Sequence, residues 1–326
     1  MEYFDKQIRK DLHQFLFNIR MPVIILALLL GQYCMAQTDS VFKLTKEHGH
    51  FFCETAMNGV NAKAMVETGI PGLMMSEAFY EAHKDSLKLE VKESDEKIRY
   101  HGGLHHVKYT AQARLQIGDA FFKGPVKIIQ EDQAIMIPIH MLHHSLDSSA
   151  IVWLELGRLQ FRVCSRERLQ NLTKKASVWP LTYNLFGMPV ITTSLRIKAE
   201  GHHIDITGQF IADLGNASLL FLNRYDTEVD KLMSDSKVHL VDIYDNRKGQ
   251  TYSQAFYVDK LTICDRTYKG DTVGVSTFKG LEECGILGLK FFTMPAVFDF
   301  DKKKCICVSE ILRAQGTPAP SRRLTG

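Results

Sequence analysis

The chain has 326 residues, 45% of them apolar, and a formal charge of +3 from 40 basic and 37 acidic side chains. That is enough for two ordinary domains with real cores. No long low-complexity tract interrupts it, and its basic residues are scattered rather than massed, which excludes a nucleic-acid footprint.

The first 36 residues have the order of an export signal. Lys6, Arg9, Lys10 and Arg20 precede an apolar run from Pro22 to Leu30, and small residues at Cys34 and Ala36 follow. The expectation is a signal peptide over 1–36, cleaved after Ala36, and an exported chain that is periplasmic or secreted. The apolar run is shorter than the ~20 residues a spanning helix needs; an uncleaved anchor is the alternative. Gly31-Gln32-Tyr33 lacks the small residues expected before a lipid-bearing Cys34. Six cysteines remain after cleavage: Cys53, Cys164, Cys264, Cys284, Cys305 and Cys307. An oxidising compartment would let them pair, and buried thiols are the other possibility. None forms a CxxC unit, which argues against thiolate zinc.

The segment Ala64-Met65-Val66-Glu67-Thr68-Gly69-Ile70 is an apolar strand ending in a carboxylate, one residue and a glycine. Residues 76–87 then carry helical signals, with Ser76 as the cap. Tyr100, Gly102 and Gly103 sit in a hairpin-like stretch where a Gly-Gly pair suits a tight turn. Strands are predicted over 107–117 and 126–130, around the turn Gly118-Asp119. His140, His143 and His144, and His101, His105 and His106, follow no ligand spacing such as HExxH, so no metal or other cofactor is expected. Residues 165–183 lack clear alternation and are read as the divide between halves.

The second half repeats the first. Strands are predicted over 190–199, 203–212 and 252–263, and a helix over 223–233. Between them stands Phe210-Ile211-Ala212-Asp213-Leu214-Gly215-Asn216, the counterpart of the Glu67 segment. A shift of 146 carries Glu67 onto Asp213, Gly69 onto Gly215, Leu115 onto Leu261 and Ile117 onto Ile263; a shift of 145 carries Val152-Trp153 onto Val297-Phe298. One register held over about a hundred residues indicates an internal duplication. Cys305 and Cys307 alternate on a strand after the turn at Lys302-Lys303-Lys304. The tail over 315–326 is expected to be mobile.

These residues resemble the aspartic peptidases of the pepsin and retropepsin type, whose lobes each carry apolar-apolar-Asp-Thr/Ser-Gly and a later apolar-apolar-Gly strand. Asp213-Leu214-Gly215 matches the first element, and Ile286-Leu287-Gly288, some 75 residues on, matches the second. Residues 295–301 look like the strand that follows in retropepsin-like bacterial members. The first half is degenerate: Glu67 stands for Asp, and Ile135-Met136-Ile137-Pro138-Ile139 lacks its glycine. Leu214 replaces the hydroxyl residue that would bond across the lobes; Thr68 keeps its own.

The resemblance implies an all-β fold of two similar barrel lobes with a cleft between them and few short helices. Lobes are expected over 37–176 and 177–314. It implies a monomer acting on a peptide or protein substrate. Asp213 and Glu67 would share one proton and activate one water. Thr68, Gly69, Leu214, Gly215, Ile286, Leu287 and Gly288 would support the loops, and Tyr100, Gly102 and Gly103 would form a flap. The function read is an exported aspartic-type endopeptidase. The alternative is an impaired pseudo-peptidase that binds peptide or a partner in the same cleft, because Glu67 and Leu214 depart from the pattern. On sequence alone, Glu67→Asp should raise activity if the extra methylene is the only fault.

Overall fold

The computed structural model describes residues 40–100, 103–142, 150–165, 176–236, 238–244, 252–263, 266–278 and 281–308. The expected signal peptide, the tail, Cys34, Cys264, His101, Gly102, His143 and His144 lie outside them.

The described chain is almost all β. The first lobe runs through β1 (Ser40–Lys43), β2 (Thr45–Glu47), β3 (His50–Met57), β4 (Val60–Glu67) and β5 (Leu73–Ser76). Helix Glu77–Leu87, β6 (Lys92–Glu93), β7 (Lys97–Tyr100), β8 (Gly103–Ile117), β9 (Ala120–Ile129) and β10 (Ile135–Pro138) follow. Next come β11 (Ala150–Glu155), β12 (Gln160–Ser165), β13 (Ala176–Tyr183), β14 (Pro189–Ala199), β15 (His202–Ala212) and β16 (Leu220–Asn223). Helix Thr227–Ser236, β17 (Val241–Tyr244), β18 (Tyr252–Ile263), β19 (Arg266–Ser276), β20 (Gly285–Leu287), β21 (Ala296–Asp299) and β22 (Lys304–Val308) complete it.

The duplication is visible strand by strand. β4, β5, β8 and β9 of a nine-stranded sheet correspond to β15, β16, β18 and β19 of a thirteen-stranded one. In each lobe a short strand is threaded between two others: β10 lies parallel to β4 and antiparallel to β5, as β20 lies parallel to β15 and antiparallel to β16. The lobes join through strands in the order β1-β12-β11-β21-β22-β13. At its centre Val152 pairs with Phe298 and Trp153 with Val297. The repeat-equivalent residues therefore meet crosswise, as a twofold axis between β11 and β21 requires.

Alternation explains most of the strands. Along β14 the residues from Ile191 to Ala199 alternate buried and less buried, the inward row being Ile191, Thr193, Leu195, Ile197 and Ala199; a half-solvated antiparallel sheet requires that pattern. Helix Glu77–Leu87 begins where expected, because the Ser76 hydroxyl accepts the Phe79 N–H at 3.1 Å.

Three readings needed correction. The supposed divide over 165–183 contains β13, which pairs with β22 and β14. Strand β9 starts at Ala120 rather than 126. The second helix starts at Thr227 rather than 223, because the Asn223 side chain is spent on the Tyr225 and Phe278 amides and the Leu281 and Glu283 carbonyls. Asp226 accepts the Val229 N–H at 2.9 Å near the start of that helix. Cys53, Cys284 and Cys307 are buried free thiols, and Cys305 is buried. Burial pushes the Cys53 thiol up to about 12 and the Cys284 thiol up to about 11.

Candidate active site

Each carboxyl is delivered by the end of a strand that lies beside a threaded one. Glu67 closes β4, and Asp213 follows β15. Pro138 of β10 pairs with Glu67. Leu287 of β20 pairs with Ala212, and the Leu287 carbonyl accepts the Asp213 N–H at 3.0 Å. Ile286, Leu287 and Gly288 therefore run beside the Asp213 loop. The loop is tied down by N–H groups of Gly288, Leu289 and Lys290, donated to the carbonyls of Leu219 (3.1 Å), Asn216 (2.6 Å) and Ser218 (3.1 Å). A Cβ on Gly288 would lie 2.4 Å from the Ser218 carbonyl oxygen, so only glycine fits.

The two loops meet. The Thr68 hydroxyl donates to the Ala212 carbonyl at 2.6 Å and accepts the Leu214 N–H at 3.0 Å, 146 residues away. Leu214 has no hydroxyl to return; it is buried in the main core instead. The glycines interlock. A Cβ on Gly69 would stand 2.5 Å from Asp213 Cγ, and one on Gly215 would stand 2.0 Å from Glu67 Oε1. Each carboxyl thus lies over the glycine of the opposite loop.

The pair is electrostatically unequal. Glu67 is 1% exposed, and among the described residues neither of its oxygens meets a hydrogen-bond donor. The Thr68 and Gly215 amides approach it, favouring its charge, without reaching hydrogen-bond geometry. Burial first, then the Asp213 charge, hold the Glu67 carboxyl well above its ordinary range. Asp213 is partly open to solvent and accepts the Gly215 N–H at Oδ1, 2.9 Å away. Burial pushes it up to about 6 against the opposing pull of the Gly215 and Asn216 amides and of Glu67. One proton therefore belongs to the pair, and the deeper burial of Glu67 makes that side the less acidic.

Tyr100 pairs with Gly103 at the end of the β7–β8 hairpin; Gly102 lies outside the described residues. The base of the hairpin, Ile98 and Val107, packs in one cluster with Met65, Ile70, Met74 and Met136, around the Glu67 loop. His140 is buried beside the rings of Tyr183 (5.9 Å) and Phe300 (6.2 Å). Among the described residues no group of three or more His, Cys, Asp or Glu is placed to hold a metal ion.

Two contributors escaped the sequence reading. Asn216 turns its side chain onto the Ser218 N–H (3.0 Å) and hydroxyl (2.6 Å), shaping the Asp213 loop; the Asn-x-Ser spacing carries that signal. Pro138 was visible only as a missing glycine, and the strand register is what places it beside Glu67.

Two β lobes that bring a carboxyl pair together across a twofold axis have the pepsin-like fold. One solved structure agrees. An aspartic proteinase from Irpex lacteus superposes with a TM-score of 0.51 at 11% identity, over 83% of this chain and 97% of that one. Basic 7S globulin from soybean gives a TM-score of 0.48 at 10% identity, over 86% and 97%. At such identity the likeness is one of fold. No protein-family model matches the sequence, and no curated protein matches it significantly.

Proposed function

We propose that the chain is an exported aspartic-type endopeptidase that acts as a monomer on a peptide or protein held extended across the lobe interface. The reciprocal seating of Glu67 on Gly215 and of Asp213 on Gly69 carries this reading. It puts two carboxyls of unlike acidity on one axis, which is what acid–base chemistry on a single water needs. Asp213, ionised and partly open, takes the proton of the water as it attacks the scissile carbonyl. Glu67, holding the shared proton, gives it to the carbonyl oxygen. The tetrahedral intermediate then collapses as Asp213 gives the proton it took to the amide nitrogen, which leaves, and Glu67 regains a proton from a hydroxyl of the intermediate as the new carboxyl forms.

A second reading is favoured by one observation: both Glu67 oxygens are shut off from solvent. A pseudo-peptidase would use the same cleft to bind peptide without cleaving it. The two separate by incubating the full chain with a mixed peptide library from acid to neutral pH beside Asp213→Asn. Cleavage by the parent alone supports the peptidase. Equal cleavage by the variant removes Asp213 from the chemistry, and saturable peptide binding without cleavage supports the second reading.

A further inference from the structure

We infer that Pro138 is a positioning residue that sets the length of acid needed at position 67, so that Glu67 and Pro138 form a compensating pair. This deepens the peptidase reading and rests on it. In the second lobe, the pairing of Leu287 with Ala212 places Gly288 beside Asp213. In the first lobe, Pro138 itself pairs with Glu67. Pro138 thus occupies the place of Gly288.

The exchange has two physical consequences. Gly288 approaches its loop so closely that a Cβ would meet the Ser218 and Asn216 carbonyl oxygens at 2.4 and 2.6 Å. A proline brings a Cβ and a ring, so the first loop must stand farther from its support strand. Gly288, Leu289 and Lys290 also draw in the second loop with three N–H groups. Pro138 has no N–H to give, and among the described residues neither Pro138 nor Ile139 bonds to residues 69–72. The first carboxyl therefore sets out from farther back.

Glu67 makes up the difference. Its extra carbon–carbon bond adds about 1.5 Å of reach, and its Oε1 arrives over Gly215 much as the Asp213 carboxyl arrives over Gly69. Each carboxyl reaches the opposite glycine although the side chains differ in length, Glu67 Oε1 at 2.0 Å from the Gly215 Cβ position and Asp213 Oδ1 at 2.5 Å from that of Gly69. This reverses the expectation from sequence: Glu67→Asp, with Pro138 in place, leaves its carboxyl short of Gly215.

The test uses the full chain as parent, Glu67→Asp, Pro138→Gly and the double variant. Two readouts are taken: the titration of the position-67 and Asp213 carboxyls by side-chain carbon NMR, and peptide cleavage against pH. Glu67→Asp alone should uncouple the two titrations and slow cleavage on the order of 100-fold, as a misplacement of about 1 Å does. The double variant should recover the coupling and return the rate to within about 10-fold of the parent, the non-additivity expected of residues in contact. Should Pro138→Gly fail to fold, Pro138→Ala in the Glu67→Asp background restores the N–H and should recover part of the coupling. A Glu67→Asp variant that titrates like the parent overturns the inference, as does a second substitution at 138 that recovers nothing. If even the parent cleaves no peptide, the peptidase reading falls, and the titrations alone decide the compensating pair.

Discussion

Thr68 holds the backbone on both sides of Asp213: its hydroxyl donates to the Ala212 carbonyl and accepts the Leu214 N–H. In a symmetric pair of lobes two such hydroxyls would share this task. Here one does it, because Leu214 contributes only apolar burial. Thr68→Val should therefore destabilise the fold by about 1–3 kcal/mol, the cost of leaving a buried donor and acceptor unpaired. Thr68→Ser should recover most of it. Chemical unfolding of both variants checks this; equal loss in the two would show that the methyl matters and the hydroxyl does not.

The glycine beneath each carboxyl sets a steric limit. Gly215→Ala would place a Cβ 2.0 Å from Glu67 Oε1, and Gly69→Ala one 2.5 Å from Asp213 Cγ. Either substitution should displace a carboxyl, cost about 1–3 kcal/mol through overpacking, and abolish any cleavage. A thermal melt with a parallel peptide assay reads both effects.

Stability should depend on pH through the buried pair. Both carboxyls titrate higher in the folded state than their ordinary 4.5 and 3.8. The folded chain thus holds protons that the unfolded chain releases first. The resulting stability is complete below the ordinary values and is lost as pH rises through the folded ones: up to about 6 for Asp213, and higher for Glu67. Glu67→Gln removes the larger part of this. It should raise the melting temperature relative to the parent more at mildly alkaline pH than near pH 4. A pH-independent difference would contradict it.

Catalysis, if the peptidase reading holds, needs the pair singly protonated. Its acid limb should fall near pH 6, where Asp213 takes up its proton. The cleavage rate should decline below that pH and persist towards neutrality, where Glu67 still holds its own. A rate profile that keeps rising below pH 4 would place the charged form elsewhere.

Much of this was legible in the sequence because its signals are local. An apolar strand ending in carboxylate-x-glycine marks each loop without help from tertiary structure, and the shift of 146 follows from the loops being copies. Strand β13 was hidden because Pro180 interrupts it and Val178 is apolar on an exposed face. Both blur the alternation that burial of Trp179 and Leu181 would otherwise show. Gly124 and Pro125 concealed the start of β9 in the same way. At the site, sequence identified the two carboxyls but not their inequality. The latter depends on which one the other lobe covers, and that is settled by packing between residues far apart in the chain.

The central claim is that Glu67 and Asp213 form one titrating unit. Its most direct test is the side-chain carbon NMR titration of Glu67 in the parent and in Asp213→Asn. The parent should hold the Glu67 proton well above the ordinary carboxyl range. In the variant the value should fall, because the neighbouring charge is gone while burial remains. A Glu67 titration that is ordinary in the parent, or unchanged in the variant, would contradict the account.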